Sequence, residues 1–483
     1  MHAAPDATSA GRIGRARRWP VVRGAPGSSP GMPHPPAAGT TRLERPPCGW
    51  HPSDMLVSPP TDHASLARLA AAVGTPFYLY DAATVRRRID AIRGLTSAEG
   101  LQARYAMKAC SAHLVLREVK RAGTWIDAVS GNEVLRAKAA GFPVGHEPPV
   151  VLLTADVFRD NALDVVLHEG VLPNLGSPGQ VHALAAAGYR GPVGLRLNPG
   201  FGHGHVQACD TGGPSSKHGI WIDDAAAVGE AARAAGLRVE LLHAHVGSGP
   251  EIAELERNLT KLAGRFAELL ASFPDCRAVN LGGGIPHSYR DPSWQPDLGH
   301  LARILVESRA RFCEVAGRAI RVEIEPGRFF VAPAATLVAR VADVKATREN
   351  DKGPGHDFIM VDAGFCDLVR PAMYGSFHRI SVVAEKPGPT GRFAVAGPLC
   401  ESGDVFTRHA DELIEPRELP RPNVGDFVLL HDAGAYGASM SSNYNSLGRV
   451  PQVWWDEGRA VLMSRRETLA DIVAAECEEA LPL

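Results

Sequence analysis

Residues 239–281 read VELLHAHVGSGPEIAELERNLTKLAGRFAELLASFPDCRAVNL, and this stretch decides the fold class. The apolar run Val239–His245 predicts a buried strand, and the Ala- and Leu-rich segment Glu254–Ala271 predicts a helix. A second predicted strand follows at Ala278–Leu281. A strand, a helix and another strand in this order form a parallel β/α unit.

The same alternation continues on both sides of this unit, up to about residue 330. Eight such steps over about 240 residues predict a (β/α)8 TIM-type barrel, in which the chemistry lies at the carboxyl ends of the strands. The predicted strands are Ala103–Ala106, Trp125–Ala128, Val150–Leu153, Gly170–Leu175, Val193–Leu197, Val239–His245, Ala278–Leu281 and Arg321–Ile324.

After Pro333 short strands replace this alternation, and the next predicted helix is Glu467–Ala480. The pattern predicts a second, mostly antiparallel domain with a β-sandwich or barrel architecture. Its predicted strands are Thr336–Val344, Asp357–Val361, Arg392–Val395, Phe427–Leu430 and Val453–Trp455.

Four regions follow from these patterns. We expect the barrel domain at residues 82–333, the β domain at 334–483, and a leading segment at 55–81 that packs with the β domain. The first 54 residues hold ten prolines, seven arginines, no lysine and three acidic residues. This composition predicts a disordered extension, or translation from a start codon upstream of Met55, more than an organelle transit peptide.

Composition excludes several other classes of protein. The 483 residues are 45% hydrophobic and 22% charged with a net charge of −2, which is ordinary for a globular chain without bulk attraction to nucleic acid or membrane. No run of 18 apolar residues predicts a membrane span. The eight cysteines include no C-x-x-C pair, so we expect no metal site and free thiols in a reducing cytoplasm.

Three motifs follow predicted barrel strands. The first is Tyr105-Ala-Met-Lys-Ala-Cys110, which places Lys108 at the end of a strand. A desolvated lysine would have a lowered pKa and could form a Schiff base, although a solvated strand end is the simpler interpretation. His243-Ala-His-Val-Gly-Ser-Gly249 and Leu281-Gly-Gly-Gly-Ile-Pro286 offer backbone N–H groups to an anion, although both also fit plain turns.

A fourth motif, Glu323-Ile-Glu-Pro-Gly-Arg-Phe329, follows the last barrel strand. Glu325 there can hold a ring nitrogen protonated and Arg328 can bind an anion, although a surface ion pair also fits. Further candidates lie in the predicted β domain, where ordinary loops are the alternative: Arg370-Pro-Ala-Met-Tyr374, Gly397-Pro-Leu-Cys-Glu-Ser-Gly-Asp404 and Asp432-Ala-Gly-Ala-Tyr-Gly437.

Together, in this order and spacing, the motifs resemble those of the fold-type III pyridoxal-phosphate-dependent decarboxylases, most closely the branch that acts on diaminopimelate. The resemblance runs from about Pro76 to Ile472. It includes the strings Asn198-Pro-Gly-Phe-Gly-His-Gly-His205, Thr211-Gly-Gly, Ser216-Lys-His-Gly-Ile-Trp221, Asp362-Ala-Gly-Phe365 and Ser439–Ser446.

The resemblance implies a role for each cofactor-site residue. Lys108 is expected to hold pyridoxal 5'-phosphate covalently, His245 to stack on its ring, and Glu325 to pair with the ring nitrogen. The remaining cofactor contacts implied by the family pattern come from Gly247, Ser248, Gly284, Pro326, Gly327, Arg328 and Tyr436.

Substrate contacts are implied in the same way. Arg328, Arg370 and Tyr374 match positions that hold the distal carboxylate, and Tyr436 matches one near cofactor and substrate. Glu401 matches the residue that meets the distal ammonium. Cys400 matches the thiol that protonates the carbanion, and the family supplies both Cys400 and Glu401 from the partner subunit. The resemblance therefore implies a homodimer with shared active sites.

The implied reaction is decarboxylation of meso-2,6-diaminopimelate to L-lysine and CO2, the last step of lysine biosynthesis by that route. One departure stands at Asn445-Ser-Leu-Gly-Arg449, where the family often reads Asn-Ser-Arg-Pro, so a contact from that arginine position is in doubt.

Three alternatives share the fold. An ornithine, arginine or lysine decarboxylase handles a far end that is only cationic, and the ornithine enzymes carry Asp where Glu401 stands. An alanine racemase places Arg where Glu325 stands. A non-catalytic regulator usually lacks the lysine or the cysteine, and Lys108 and Cys400 are both present.

Overall fold

A computed structural model of the chain describes residues 58–204, 211–249, 251–351, 353–409, 411 and 413–478. The predicted extension at residues 1–54 lies outside this part. The described chain begins with helix α1 (His63–Val73), strand β1 (Phe77–Asp81) and helix α2 (Ala82–Leu95).

Eight parallel strands then form a closed barrel in the order β5-β4-β3-β2-β10-β9-β8-β6, with β5 pairing with β6 to complete the ring. A short strand, β7, continues the sheet beside β6. Every predicted barrel strand is confirmed, with ends within two residues of the expected positions. The strands are β2 (Leu101–Ala106), β3 (Trp125–Ala128), β4 (Val151–Leu153), β5 (Leu172–Leu175), β6 (Pro192–Asn198), β7 (Ile220–Trp221), β8 (Arg238–His243), β9 (Ala278–Asn280) and β10 (Arg321–Ile324).

Helices lie between these strands, and side-chain caps fix where some of them begin. Ser130 accepts a hydrogen bond from the backbone N–H of Glu133, and Ser177 accepts one from that of Gln180. The helices of this region are α3 (His113–Arg121), α4 (Gly131–Ala139), α5 (Ala162–Glu169), α6 (Pro178–Ala186), α7 (Ala225–Ala234), α8 (Ile252–Leu269), α9 (Leu298–Ala316) and α10 (Arg328–Val331).

A second, nine-stranded sheet contains β1 and the strands after the barrel. Six of its eight strand pairings are antiparallel, which confirms the predicted class, and β1 lies between β11 and β17. Its other strands are β11 (Ala335–Ala346), β12 (Asp357–Val361), β13 (Ile380–Val383), β14 (Thr390–Ala396), β15 (Arg417–Pro420), β16 (Phe427–Leu430), β17 (Gln452–Asp456) and β18 (Arg459–Ser464).

Two short helices accompany this sheet, α11 (Arg370–Tyr374) and α12 (Leu469–Ile472). The helix predicted at Glu467–Ala480 is therefore wrong in extent, because only four of its described residues are helical. Among the described residues, no helix has the length and apolar character that crossing a bilayer requires.

The barrel and the second sheet share one hydrophobic core. Tyr78 and Tyr80 of β1 are fully buried in the same cluster as Ile126 and Val279 of the barrel strands. The Tyr78 hydroxyl also donates to the carbonyl of Asp367 at 2.5 Å. The predicted domain boundary between residues 333 and 334 falls within this shared core. The division into two domains at that point stays a prediction.

Candidate active site

A cavity of about 540 Å³ opens at the carboxyl ends of the barrel strands. It is lined by side chains from both the barrel and the segments around the second sheet. Seven of the predicted site residues line it together: Lys108, His245, Ser248, Arg328, Arg370, Tyr374 and Tyr436.

Lys108 reaches this cavity from a single 3-10 turn, Met107–Ala109, directly after β2. The turn is held by backbone bonds, since the N–H of Tyr436 donates to the carbonyl of Ala109 at 2.9 Å. Burial disfavours the ammonium, but the charges of Asp127, Tyr436 and Glu325 outweigh burial and raise the pKa of Lys108. Desolvation alone would lower the pKa of this amine, and the two nearby carboxylates reverse that effect.

Asp127 is a site residue that no sequence motif indicated. It is buried in β3, and its Oδ1 accepts a hydrogen bond from the Thr154 hydroxyl at 2.7 Å, while its Oδ2 has no partner among the described residues. Burial and repulsion from Glu325 raise the pKa of Asp127 to about 7, against the attraction of Lys108. In the sequence, the one sign that Asp127 belongs to the site is that it is an acidic residue in the otherwise apolar strand Trp125–Ala128.

Glu325 is fixed at the carboxyl end of β10 by two side chains of neighbouring strands. Its Oε1 lies 3.0 Å from Nε2 of His243, and its Oε2 accepts from the Asn280 amide at 3.0 Å. Burial opposes its charge, but His243 and Lys108 hold the pKa of Glu325 well below its usual value. These contacts favour the ionised carboxylate at the carboxyl end of β10.

His245 lines the cavity with a neutral ring. Its Nδ1 accepts from the backbone N–H of Gly283 at 3.2 Å, which leaves Nε2 as the protonated nitrogen. Burial, together with the charges of Lys108 and Arg196, brings the pKa of His245 well below its usual value. A neutral, oriented imidazole suits stacking on an aromatic ring.

The glycine-rich turns approach each other too closely for side chains. Gly247 and Gly284 have φ angles of +103° and +99°, and a Cβ on Gly284 would lie 2.4 Å from the carbonyl oxygen of Gly247. A Cβ on Gly327 would lie 2.9 Å from the carbonyl oxygen of Ala106, whose N–H donates to the carbonyl of Pro326. Such a glycine cradle lets the backbone approach a phosphate.

These features fit pyridoxal phosphate. Lys108 offers a side-chain amine for the aldehyde, Glu325 a fixed carboxylate for the ring nitrogen, and Gly284 a backbone cradle for the phosphate. Along the chain, Lys108 follows β2, Gly284 follows β9 and Glu325 follows β10. The donor set therefore matches the chemistry of the cofactor group by group.

The arginines lie where this cavity meets a second one of about 450 Å³. Ser248, Arg328 and Arg370 line both cavities. Arg328 Nη1 donates to the Tyr289 hydroxyl at 3.0 Å, and Arg370 Nη1 donates to His378 at 2.8 Å. The sequence reading missed Tyr289 and His378, because neither belongs to a recognisable motif.

Cys400 and Glu401 are exposed and line neither cavity. The backbone N–H of Cys400 donates to the side chain of Asn445 at 3.1 Å. Arg449 ends the segment that differs from the family pattern. Its side chain forms an ion pair with Glu467 at 3.0 Å, at the protein surface. The single chain thus does not bring Cys400 and Glu401 to Lys108, and their roles stay predictions.

Comparison with known families gives one match that spans the barrel. Residues 82–332 match the family described as pyridoxal-dependent decarboxylase, pyridoxal binding domain. Among curated proteins, the diaminopimelate decarboxylase of Streptomyces coelicolor is 41% identical over 427 residues, covering 86% of this chain and 92% of the relative. That of Escherichia coli K12 is 40% identical, covering 85% and 96%.

Solved structures agree with these relatives. A crystal structure of diaminopimelate decarboxylase matches with a TM-score of 0.78 at 39% identity, covering 86% of this chain and 97% of the other. The Helicobacter pylori diaminopimelate decarboxylase in complex with L-lysine has a TM-score of 0.74 at 25% identity, covering 85% and 98%. A lysine/ornithine decarboxylase of Vibrio vulnificus, at 20% identity and a TM-score of 0.63, shares the fold.

Proposed function

The chain belongs to the pyridoxal-dependent decarboxylases, among the diaminopimelate decarboxylases, and we propose that it converts meso-2,6-diaminopimelate into L-lysine and CO2. This is the last step of lysine biosynthesis by that route. One observation carries the proposal: Lys108 lines the same cavity as Arg328 and Arg370. An amine for the cofactor and two cations for a carboxylate thus meet in one space.

Pyridoxal 5'-phosphate is the cofactor of this family, and its proposed attachment is Lys108. Bound there, the cofactor supplies a sink for the electron pair left by the departing CO2. Glu325, which His243 contacts at 3.0 Å, would pair with the ring nitrogen and favour its protonated form, and His245 would stack on the ring. Gly247, Ser248 and Gly284 would seat the phosphate, Glu325–Arg328 would form the neighbouring cofactor loop, and Tyr436 would lie near cofactor and substrate.

Substrate recognition rests on charges at the two ends of the molecule. Arg328, Arg370 and Tyr374 bind the distal carboxylate, because guanidinium groups form strong, oriented bonds with carboxylates. Glu401 of the second subunit binds the distal ammonium. The mixed charge of this far end favours diaminopimelate over ornithine, arginine or lysine, whose far ends are only cationic.

A homodimer completes the proposed site. Cys400 and Glu401 are exposed in the single chain, while every other proposed site residue lies at the cavities or in the turns around them. Cys400 of the second subunit donates the proton that replaces CO2. The six described cysteines are free thiols, which supports a cytoplasmic location for the enzyme.

The test of the reaction is its stoichiometry. Purified protein with pyridoxal phosphate should release L-lysine and CO2 one for one from meso-diaminopimelate. The Lys108→Ala variant should lose both products and the visible absorbance of the covalently held cofactor. Full activity or an unchanged spectrum in that variant contradicts the assignment of Lys108.

The test of the shared site is subunit mixing. Lys108→Ala and Cys400→Ala subunits, each inactive alone, should regain about a quarter of the wild-type activity when co-expressed. The reason is that half of randomly formed two-fold dimers are mixed, and each of those holds one intact site. No recovery in dimers shown to be mixed contradicts the sharing.

A further inference from the structure

Arg328 and Arg370 reach the same space from different elements. Arg328 begins α10 beside the barrel, and Arg370 begins α11 beside the second sheet. Two guanidinium groups near each other repel, and each long side chain has many rotamers to lose. Both can bind one carboxylate only if other groups fix their spacing.

Tyr289 contacts both arginines. Its hydroxyl accepts from Nη1 of Arg328 at 3.0 Å. The centre of its ring lies 4.6 Å from Cζ of Arg370 and 5.8 Å from Cζ of Arg328. Both distances lie within the range of cation–π attraction, so one aromatic ring offsets part of the repulsion between the two cations.

His378 fixes Arg370 from the other side. Its Nδ1 donates to the carbonyl of His431 at 2.9 Å, and its Nε2 accepts from Nη1 of Arg370 at 2.8 Å. The His378 ring packs edge-on against Tyr289, with ring centres 5.2 Å apart. Tyr289, Arg370 and His378 therefore form one packed unit against which Arg328 is held.

We propose that Tyr289 is a positioning residue that sets the spacing of Arg328 and Arg370, and so gives the site its preference for ligands with a carboxylate at the far end. The inference rests on the proposed function, and it adds a residue that no sequence motif marks. Tyr289 acts through the arginines and has no part in the bond-breaking step.

The test is Tyr289→Phe, which removes the hydroxyl that Arg328 binds and keeps the ring under Arg370. The KM for meso-diaminopimelate should rise about tenfold, the usual effect of losing a hydrogen bond to a charged group, with kcat within about twofold of wild type. Inhibition by L-lysine, which keeps the distal carboxylate, should weaken by the same factor. Inhibition by cadaverine, which has no carboxylate, should not change.

The matched control is Tyr189→Phe, which also removes one hydrogen bond, from the hydroxyl to the carbonyl of Pro192 at 2.8 Å, but lines neither cavity. Its KM for meso-diaminopimelate and its inhibition by L-lysine and by cadaverine should equal those of the wild type. If inhibition by L-lysine and inhibition by cadaverine weaken equally in Tyr289→Phe, or if neither changes, the inference is overturned. Absence of CO2 release by the wild-type protein is a separate result, and it refutes the proposed function together with the inference.

Discussion

Glu325 owes its charge to the side chains of two neighbouring barrel strands. His243 ends β8 and Asn280 ends β9, and each contacts one oxygen of the carboxylate at 3.0 Å. A buried carboxylate without such partners would take up a proton. The charge of Glu325 therefore depends on the strand order, which places β8, β9 and β10 side by side.

Glu325→Gln should keep the shape of this group and remove its charge. We expect kcat to fall about 100-fold, the scale of losing one preorganised electrostatic contact, while bound cofactor stays near one per subunit. Steady-state kinetics and cofactor content measure both quantities. Glu118→Gln is the control, because Glu118 is also buried but pairs with Arg86 away from the cavities. Full kcat in Glu325→Gln would contradict the role of the charge.

Asp127 predicts a pH dependence of stability in the cofactor-free protein. Burial raises its pKa from 3.8 to about 7, so the folded chain holds this proton more tightly than the unfolded chain does. Its contribution is complete below pH 3.8 and is lost as the pH rises through about 7. Asp127→Asn should therefore gain thermal stability relative to wild type between pH 5 and 8. A melting-temperature difference that stays constant or shrinks with pH argues against the raised pKa.

Sequence reasoning found the side chains that directly follow strands. Lys108, His245 and Glu325 follow β2, β8 and β10, so the barrel rule placed them at one edge. Asp127 and Tyr289 could not be found this way, because they act through neighbours distant in sequence. Asp127 is opposite Ala106 in the β2–β3 register, which brings it close to Lys108.

At the element scale, the seam between β2 and β10 holds a buried ion pair inside the barrel. Arg104 Nε donates to Glu323 at 2.6 Å, and both side chains are fully buried. Nη1 of Arg104 also donates to the carbonyl of Pro149 at 2.8 Å. Removing one partner of such a pair leaves an uncompensated charge in the interior.

Arg104→Met should therefore lower the free energy of unfolding by about 3 kcal/mol, the low end for a broken buried pair, because Arg321 still pairs with Glu323. The double variant Arg104→Met/Glu323→Leu should recover part of this loss. Urea unfolding of the wild type, the single variant and the double variant measures these free energies. A single variant within about 1 kcal/mol of wild type would show that the pair is not essential to the seam.

Element prediction succeeded where apolar runs were regular. Both β12 and β16 have the predicted bounds; β16 is buried throughout, whereas β12 alternates with Ile359 and Val361 buried. Strand β18 was missed although Ala460–Met463 is an apolar run; it is an edge strand, and Leu462 is half exposed. Strands β13 and β15 were missed as well, and each has only four residues.

For the whole molecule, none of the proposed site residues falls within the first 54 residues of the sequence. All the proposed site residues fall between Lys108 and Tyr436, and the family match begins at residue 82. Deletion of residues 1–54 should leave kcat and KM within about twofold of the full chain. A truncated protein that folds but does not decarboxylate would show that this segment contributes to the site.

Central to this account is the statement that the site selects an amino acid with a carboxylate at its far end. The most direct measurement is CO2 release from meso-2,6-diaminopimelate and from L-ornithine, assayed side by side as kcat/KM on the same preparation. The account predicts a preference for meso-diaminopimelate of at least about 100-fold, because Arg328 and Arg370 meet a carboxylate in one ligand and none in the other. Equal rates, or a preference for L-ornithine, would contradict it.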